Sequence, residues 1–497
     1  MTDSLSIYNT LTGQKALFKP LTPGLVKLYV CGITVYDYCH IGHGRVLVAF
    51  DVITRYLRYL GYEVHYVSNI TDIDDKIIHR ALENKEDWKD LTTRFIQAMQ
   101  EDKKKLGVKP PTDQPKATDY IPQMIDMIQT LIDKNLAYKA NNGDVYYNVA
   151  RFKNYGQLAH QNLEELRAGN RIEVDAAKHG PLDFVLWKLT KPNEPFWESP
   201  WGPGRPGWHI ECAAMATHLL GSPIDIHGGG LDLQFPHHQN ELAQAEAACD
   251  CPFVNHWMHV GHVQVNHEKM SKSLGNFFTI RHVFERYNPE VVRYFMAASH
   301  YRSPVSYTEE HLVHAQQALQ RLYTALRDLP QPERADEKST RDFYEKRFKE
   351  KMNDDFNTPE AWGVLFDLAR DINRSREQGQ MQEAAQLGVT LKHLGSVLGF
   401  LQQDPALFLQ TGGTGDKQAE WTPQELDIIN ALITERNQAR QHKDWATADS
   451  KRDELNKMGV ILEDGADGKI YLKRRKFQKD KGNVEETGTQ QQSSAEL

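Results

Sequence analysis

Two short segments carry basic side chains in patterns that suit phosphate binding. A His-Ile-Gly-His run begins at His40, ends at His43 and opens a predicted helix. The free N–H groups and dipole of a helix start favour an anion, and Gly42 lets a flat base approach the backbone. A Lys-Met-Ser-Lys-Ser loop with Lys269 and Lys272 suits a mobile arm that clamps phosphates. Each segment alone is more often a plain helix start or a solvated loop.

A second group of residues has the chemistry of zinc ligands. Cys31 ends the first predicted strand, Cys212 closes a Trp-His-Ile-Glu-Cys run, and His237 and Glu241 stand four residues apart at a predicted helix start. Two thiolates, an imidazole and a carboxylate make a workable tetrahedral site. By spacing alone His238 would serve almost as well as His237. The alternative is that both cysteines are ordinary buried thiols.

The other three cysteines lack this context. Five cysteines in 497 residues do not make a disulfide framework, and an odd number points to thiols or metal ligands. Cys39, Cys249 and Cys251 are therefore interpreted as structural.

The elements that must position these groups follow an α/β rhythm. Residues 25–31 are rich in β-branched and aromatic side chains and predict a strand. Apolar residues at helical spacing from Val46 to Leu60 predict a helix that Gly61 stops. Residues 63–67 predict the next strand. Strand, helix and strand in this order predict a parallel sheet that binds ligands at the carboxyl ends of its strands.

The rest of the chain divides by composition. Scattered Pro, Gly and Trp from about 120 to 205 predict an insertion, after which the α/β pattern resumes. Apolar stripes predict helices up to about 405, and a Gly/Thr-rich linker at 411–415 precedes a small terminal module. The predicted regions are residues 1–120, 121–205, 206–310, 311–410, 421–475 and a polar, disordered tail at 476–497.

Composition excludes several classes of protein. Hydrophobic residues are 40 % and charged residues 25 %, which is typical of globular proteins. No stretch approaches the roughly 18 apolar residues of a membrane span, and the first residues lack the pattern of a signal peptide. We therefore expect a cytoplasmic protein. A net charge of −8 argues against indiscriminate coating of nucleic acid but allows a local basic surface for one RNA.

Taken together, the two basic segments resemble the paired signature of class I aminoacyl-tRNA synthetases. Three further runs resemble the cysteinyl-tRNA synthetases among them: Cys-Gly-Ile-Thr-Val-Tyr-Asp from Cys31, Asn-Ile-Thr-Asp-Ile-Asp-Asp-Lys from Asn69, and Trp-His-Ile-Glu-Cys from Trp208. A fourth is the Gly-Gly-Gly-Leu-Asp turn with the paired histidines that follow it. The likeness covers residues 5–475 and no motif position departs from it.

The resemblance implies a Rossmann-type parallel-sheet catalytic domain with an inserted connecting domain, then a helical bundle and a small tRNA-binding module. It implies one zinc ion per chain, MgATP and cysteine as substrates, tRNA(Cys) as partner, and a monomer. The implied zinc ligands are Cys31, Cys212, His237 and Glu241. The implied substrate contacts are His40 and His43 for phosphates, Gly42 for the base, Asp232 for the ATP ribose, Thr71 and Trp208 for cysteine, and Lys272 with Lys269 for the transition-state charge.

The implied zinc has a physical reason. Cysteine and serine differ by one atom, and a pocket that reads shape alone separates such substrates by only about 100-fold. Zinc prefers a soft thiolate to a neutral hydroxyl. A metal that contacts the substrate sulfur would make a separate editing domain unnecessary, and the insertion is too short to be one.

Two other functions share parts of this pattern. One is a ligase that activates cysteine in the same way but passes it to a small-molecule amine, which would need no terminal module. The other is a zinc-stabilised RNA-binding protein without catalytic activity, which would need neither phosphate-binding segment.

Two stretches near the end of the chain predict RNA contact. The run from Met352 to Glu360 resembles the entry to the anticodon-side helices, although Thr358 and Pro359 would also suit a capped helix start. The terminal module carries basic residues and one tryptophan on predicted helices, which suits an RNA backbone and unstacked bases. They are Arg436, Arg440, Lys443, Trp445 and Arg452, followed by a basic run at 473–476.

Overall fold

The computed structural model describes residues 4–161, 177–192, 194–265, 268–269, 277–332, 338–411, 413, 423–464 and 470–474. It comprises two compact units. The larger contains Met1–Phe408 and Gly413–Gln418, and the smaller contains Leu409–Gly412 and Ala419–Leu497.

The larger unit opens with a hairpin and then a β–α–β unit. Its first elements are β1 (Ser6–Asn9), β2 (Gln14–Leu17), β3 (Leu25–Thr34), α1 (Ile41–Tyr59), β4 (Glu63–Thr71), α2 (Asp75–Asn84) and α3 (Trp88–Lys105). Helix α1 buries the apolar stripe that its sequence predicts, including Val48, Val52 and Leu57. Strand β3 extends three residues beyond the predicted strand.

A separate antiparallel sheet lies within the stretch predicted as an insertion. Helix α4 (Ile121–Asp133) leads into β5 (Ala137–Lys139), β6 (Val145–Tyr147), β7 (Phe184–Leu189) and β8 (Gly204–Pro206), which pair in that order. Its strands bury large aromatic side chains, among them Tyr147 and Trp187. The sheet ends at the residue before Gly207, which caps the helix that carries Trp208 and Cys212.

The central sheet is parallel and provides the floor of the site. Helix α5 (Trp208–Leu220), β9 (Ile224–Gly230), α6 (Gln239–Cys249) and β10 (Val254–Val260) complete it, and the strand order is β10-β9-β3-β4. Strand β3 pairs with β4 on one side and with β9 on the other, so the chain places its next strand on one side of β3 and later returns to the opposite side. A crevice forms at the carboxyl ends of strands at such a point.

Helices follow the sheet within the larger unit, except that the last two residues of the final helix belong to the smaller unit. The next elements are β11 (Val263–Val265), β12 (Glu268–Lys269), α7 (Ile280–Phe284), α8 (Pro289–Ala297), β13 (Val305–Ser306), α9 (Glu309–Leu326), α10 (Lys338–Met352), α11 (Thr358–Glu377), α12 (Met381–Leu398) and α13 (Pro405–Gln410). The buried Arg293 guanidinium of α8 joins them to α1: it pairs with Asp51 at 2.5 Å and donates to the Leu398 carbonyl at 2.7 Å.

The helix entry at Met352–Glu360 differs in one detail from its predicted capping. Asn357, not Thr358, is the N-cap of α11, because its side chain accepts the Glu360 N–H. Pro359 stands in the first turn as expected. Asp355 of the same run accepts hydrogen bonds from Tyr301 at 2.8 Å and Arg302 at 2.7 Å, which anchors the entry to the segment after α8.

The smaller unit contains two helices and a hairpin in its described residues. They are α14 (Pro423–Gln441), α15 (Trp445–Lys457), β14 (Val460–Asp464) and β15 (Ile470–Arg474), around the buried side chains of Ile429, Leu455 and Val460. Of the predicted RNA-contact residues, Lys443 is not helical: it lies in the turn between the helices with φ +58°. The predicted region boundaries stay predictions.

Among the described helices, none is both long and apolar enough to cross a lipid bilayer.

Candidate active site

Predicted site residues from four parts of the chain line one cavity at the carboxyl ends of β3 and β9. The cavity has a volume of about 280 Å³. The predicted residues in its wall are Cys31, His40, Gly42, His43, Trp208 and Asp232. Residues that the sequence did not single out complete the wall, including Asn69, Lys76 and His262. The cavity therefore brings the predicted phosphate-binding helix start and one predicted metal ligand into the same space.

The four predicted zinc ligands form one buried cluster. Their ligand atoms all lie within 4.8 Å of one another. The Cys31 Sγ is 3.1 Å from the Glu241 Oε1, and the His237 Nε2 is 3.0 Å from the same oxygen. Because Cys31 also lines the cavity, the cluster adjoins the space where a substrate would lie. Two thiols, an imidazole and a carboxylate, all buried, are a donor set that fits zinc.

A second set of donors overlaps the first. Cys31, His227, His238 and Glu241 also have ligand atoms within 4.8 Å of one another. His227 lies on β9 with its Nε2 3.2 Å from the Glu241 Oε2, and the sequence did not predict it as a ligand. His238 shares its Nδ1 with the His259 Nε2 at 2.8 Å. We favour the first set because its second thiolate suits zinc better than a third nitrogen or oxygen donor.

The electrostatics divide the first set: burial, together with the neighbouring Cys212 and Glu241, raises the pKa of the Cys31 thiol well above its usual range. Burial opposes ionisation of Cys212, but hydrogen bonding from Cys31 and the proximity of His237 lower its pKa to about 6. Burial also opposes a charge on His237, yet Glu241 raises its pKa to about 10. The neighbouring His227 and His237 outweigh burial at Glu241 and hold its pKa well below the usual range. Cys212 and Glu241 thus carry negative charge, whereas Cys31 and His237 hold protons that a bound cation would displace.

Comparison with known proteins assigns the chain to a family. The family model described as "tRNA synthetases class I (C) catalytic domain" matches residues 17–317. A DALR domain model matches 347–402, and a cysteinyl-tRNA ligase anticodon binding domain model matches 422–471. The cysteine–tRNA ligase of Methylococcus capsulatus is 58 % identical over 94 % of this chain and 99 % of its own length. The chain belongs to the cysteinyl-tRNA ligase family.

A second relative and a solved structure agree with the assignment. The cysteine–tRNA ligase of Thioalkalivibrio sulfidiphilus is 57 % identical over 94 % of this chain and 99 % of its own length. A Mycobacterium tuberculosis methionyl-tRNA synthetase structure has a TM-score of 0.55 at 15 % identity, covering 78 % of this chain and 91 % of that one. This likeness shows a class I synthetase fold. The predicted family and fold class are confirmed.

The family's His-Ile-Gly-His motif forms the start of α1. His40 is the N-cap, and the two histidines cap the helix reciprocally: the His43 N–H donates to the His40 Nδ1 at 3.2 Å, and the His40 N–H to the His43 Nδ1 at 3.4 Å. Their rings stack with centroids 3.6 Å apart. The motif therefore combines a helix start with two fixed imidazoles in the cavity wall, an arrangement suited to phosphate.

The two predicted cysteine contacts occupy different positions. Trp208 lines the cavity and stacks on the predicted ligand His237 with centroids 4.1 Å apart. Thr71, with 2 % of its surface exposed, lies behind Asn69, and it is Asn69 that lines the cavity at this point. The side chain of Thr71 accepts a hydrogen bond from the Asn69 amide at 3.1 Å. The roles assigned to both residues stay predictions.

The lysine loop lies largely outside the described residues. Lys269 ends β12, where it pairs with Gln264 of β11. Val263 and His262, just before Gln264 in the chain, line the cavity. Lys272 lies outside the described residues, so its predicted role is tested only by experiment.

The expectation that the cysteines are thiols or metal ligands was wrong for two of the five. Cys249 and Cys251 are joined by a disulfide, whereas Cys31, Cys39 and Cys212 are free and buried. Asp250 between the two has φ +56°, so the chain reverses directly after α6 and brings the sulfurs together. The spacing of two residues between these cysteines could have predicted the bond, but the odd number of cysteines argued against a pair.

Proposed function

We propose that the chain activates cysteine with ATP and transfers it to tRNA(Cys), using one zinc ion held by Cys31, Cys212, His237 and Glu241. The observation that carries the proposal is the contact between the buried four-donor cluster and the cavity that also contains the start of α1. A bound zinc would supply a soft Lewis acid for the substrate sulfur. The zinc ion would thus select cysteine in the same cavity in which the cysteine carboxylate reacts with ATP.

Activation requires no general base from the chain. The substrate carboxylate is already ionised and attacks the α-phosphorus, and the bond to pyrophosphate breaks with both electrons leaving on oxygen. The side chains contribute alignment and stabilisation of charge. His40 and His43 hold phosphates, Asp232 holds the ribose, and Lys272 with Lys269 stabilises the departing pyrophosphate with its Mg²⁺.

The second step, transfer of cysteine to tRNA, takes place in the same cavity. A hydroxyl of the terminal tRNA ribose attacks the carbonyl carbon of the cysteinyl adenylate, its proton passes to a phosphate oxygen of the adenylate, and AMP leaves with the electron pair of the broken C–O bond. The match of the anticodon binding domain model to residues 422–471 supports tRNA as the acceptor. The family resemblance further supports a monomer that acts in the cytoplasm.

Transfer to a small-molecule amine is not favoured. The two relatives above are cysteine–tRNA ligases, and each aligns with 94 % of this chain over 99 % of its own length. Aminoacylation assays with purified tRNA and with a glycosylamine acceptor compare the two activities directly. Charging of the amine but not of tRNA would refute the proposal, and an RNA-binding protein without catalysis would show neither.

The cysteine-to-serine preference tests the role of zinc. We expect kcat/KM for cysteine to exceed that for serine by well over the roughly 100-fold that shape alone provides, since a neutral hydroxyl binds zinc poorly. Amino-acid-dependent exchange of pyrophosphate into ATP measures both substrates. A ratio near 100 would mean that the metal does not read the sulfur.

The lysine loop is expected to act on the transition state. Lys272→Ala should lower kcat for pyrophosphate exchange by about 100-fold or more, because its charge is needed most as pyrophosphate leaves. The KM for cysteine should change little. The matched control is Lys153→Ala, which removes an exposed lysine outside the site and should leave both constants unchanged. A Lys272→Ala variant that changed only the KM for cysteine would contradict the assignment.

A further inference from the structure

The side chain of Asn69 connects three parts of the site. It lies near the end of β4, lines the cavity and has only 2 % of its surface exposed. Its Oδ1 accepts the Gly32 N–H at 2.8 Å and faces the Cys212 Sγ at 3.6 Å, and its Nδ2 donates to the Thr71 Oγ1 at 3.1 Å. The Asn69 amide therefore contacts strand β3, which carries the predicted metal ligand Cys31. It also contacts the second predicted ligand, Cys212, and the predicted substrate contact, Thr71.

The orientation of this amide follows from its partners. A backbone N–H can only donate, so the atom that faces Gly32 must be the oxygen, and the nitrogen then faces Thr71. An asparagine amide has two N–H groups. Among the described residues the second has no acceptor, and it remains available to an acceptor in the cavity that Asn69 lines.

The contact between Gly32 and Asn69 results from an irregularity in the pairing of β3 with β4. The register of β3 on β4 shifts between Val30 and Ile33, so the backbone N–H of Gly32 meets a side chain at the shift. A Cβ on residue 32 would lie 1.6 Å from the Asn69 carbonyl oxygen. Only glycine permits this approach. The shift includes Cys31, so it also sets the position of that metal ligand.

The other end of the connection is the first turn of α5. Glu211 precedes Cys212 and is also fully buried; burial raises the pKa of its carboxyl well above the usual range, and the nearby Thr71 side chain opposes that shift. Thr71, which holds the Asn69 amide, therefore lies beside the same helical turn that Asn69 contacts at Cys212. Because both contacts converge on one turn, a change at Asn69 would move the thiol ligand relative to the cavity wall.

We propose that Asn69 is a positioning residue for the cysteine substrate, which holds Thr71 and the Cys212 turn of α5 against the shifted strand β3. It thereby fixes the distance between the thiol-reading cluster and the wall that contacts the rest of the amino acid. The proposal rests on the proposed function, because it assumes that cysteine binds in this cavity. Asn69 then acts on cysteine through the position of Cys212, and Thr71 holds the Asn69 amide in place.

Asn69→Ala removes all three contacts. We expect the KM for cysteine to rise about tenfold or more, since misplacement by a fraction of an ångström at a reacting site is costly. The KM for ATP should stay within about twofold, because the start of α1 does not depend on Asn69. Bound zinc, measured on the same purified protein, should remain about one per chain.

Two substitutions at Thr71 keep the test independent of how well Asn69→Ala folds. Thr71→Val removes the hydroxyl that accepts from Asn69, whereas Thr71→Ser keeps it. We expect Thr71→Val to raise the KM for cysteine in the same sense as Asn69→Ala, and Thr71→Ser to restore it to within about twofold of the wild type.

Three outcomes would overturn the proposal. One is an unchanged KM for cysteine in zinc-bound Asn69→Ala, whatever Thr71→Val does. The second is an equal rise in the KM for cysteine and ATP, and the third is loss of zinc from Asn69→Ala; either would make the residue a general structural support. Absence of cysteine-dependent exchange in the wild type would instead refute the proposed function, so the two failures are distinct.

Discussion

Cys212→Ser is expected to lose most of its zinc and to lower kcat/KM for cysteine activation by more than about 100-fold. Loss of a mere outer partner of a metal ligand already costs about 10- to 100-fold, and a serine hydroxyl does not replace a thiolate. Cys212 is buried, and its Sγ lies within 4.8 Å of the other three donor atoms. Elemental analysis of the purified protein and pyrophosphate exchange measure the two effects.

The same variant decides between the two overlapping donor sets. Cys31 and Glu241 belong to both sets, so their loss cannot distinguish them, whereas Cys212 and His237 belong only to the first. Full zinc retention in Cys212→Ser, with loss in His227→Ala, would place the metal in the second set. Cys39→Ser is the matched control, because Cys39 is a buried thiol outside both sets and should leave the zinc content unchanged.

A chain that ends at Gln418 is expected to keep cysteine activation and to lose most tRNA charging. The catalytic cavity and the metal cluster lie within the larger unit. We expect the KM for tRNA to rise about 10- to 100-fold, because each stacked base that an anticodon reader contributes is worth about 1–3 kcal/mol. Pyrophosphate exchange and aminoacylation should be measured on the same preparation, with zinc content as a control for folding.

The position of the cut matters. The sequence suggests Gly412, in the Gly/Thr-rich linker, but the Gly413 carbonyl accepts the Asn288 N–H at 3.0 Å and residues 413–418 belong to the larger unit. A cut after Gln418 keeps that contact. If charging survived the truncation unchanged, the smaller unit would not be an important tRNA reader.

The sequence predicted which residue types make up the site better than it predicted the contacts among them. Predicted ligands such as His237 and Glu241 could be recognised from the sequence because helical spacing places residues four apart on one face. The family resemblance, rather than spacing, separated His237 from His238. His227 escaped because it comes from a strand in which each of the seven residues is buried, where one polar residue gives no periodic signal.

Other differences arise from local backbone geometry. Lys443 has basic neighbours on helices, but its left-handed φ ends one helix before the next begins. The bond between Cys249 and Cys251 depends on a similar left-handed residue. The role of Asn69 depends on a register shift between two strands, and a single sequence does not reveal the register of a parallel pair.

The reciprocal cap of α1 fixes the tautomers of its two histidines. Both rings accept a backbone N–H through Nδ1, so a neutral ring must carry its hydrogen on Nε2. Protonation of Nδ1 would remove the acceptor and break the cap. A capped, neutral ring of this kind donates only from Nε2, so a phosphate bound there would meet N–H dipoles whose direction the helix start has already set.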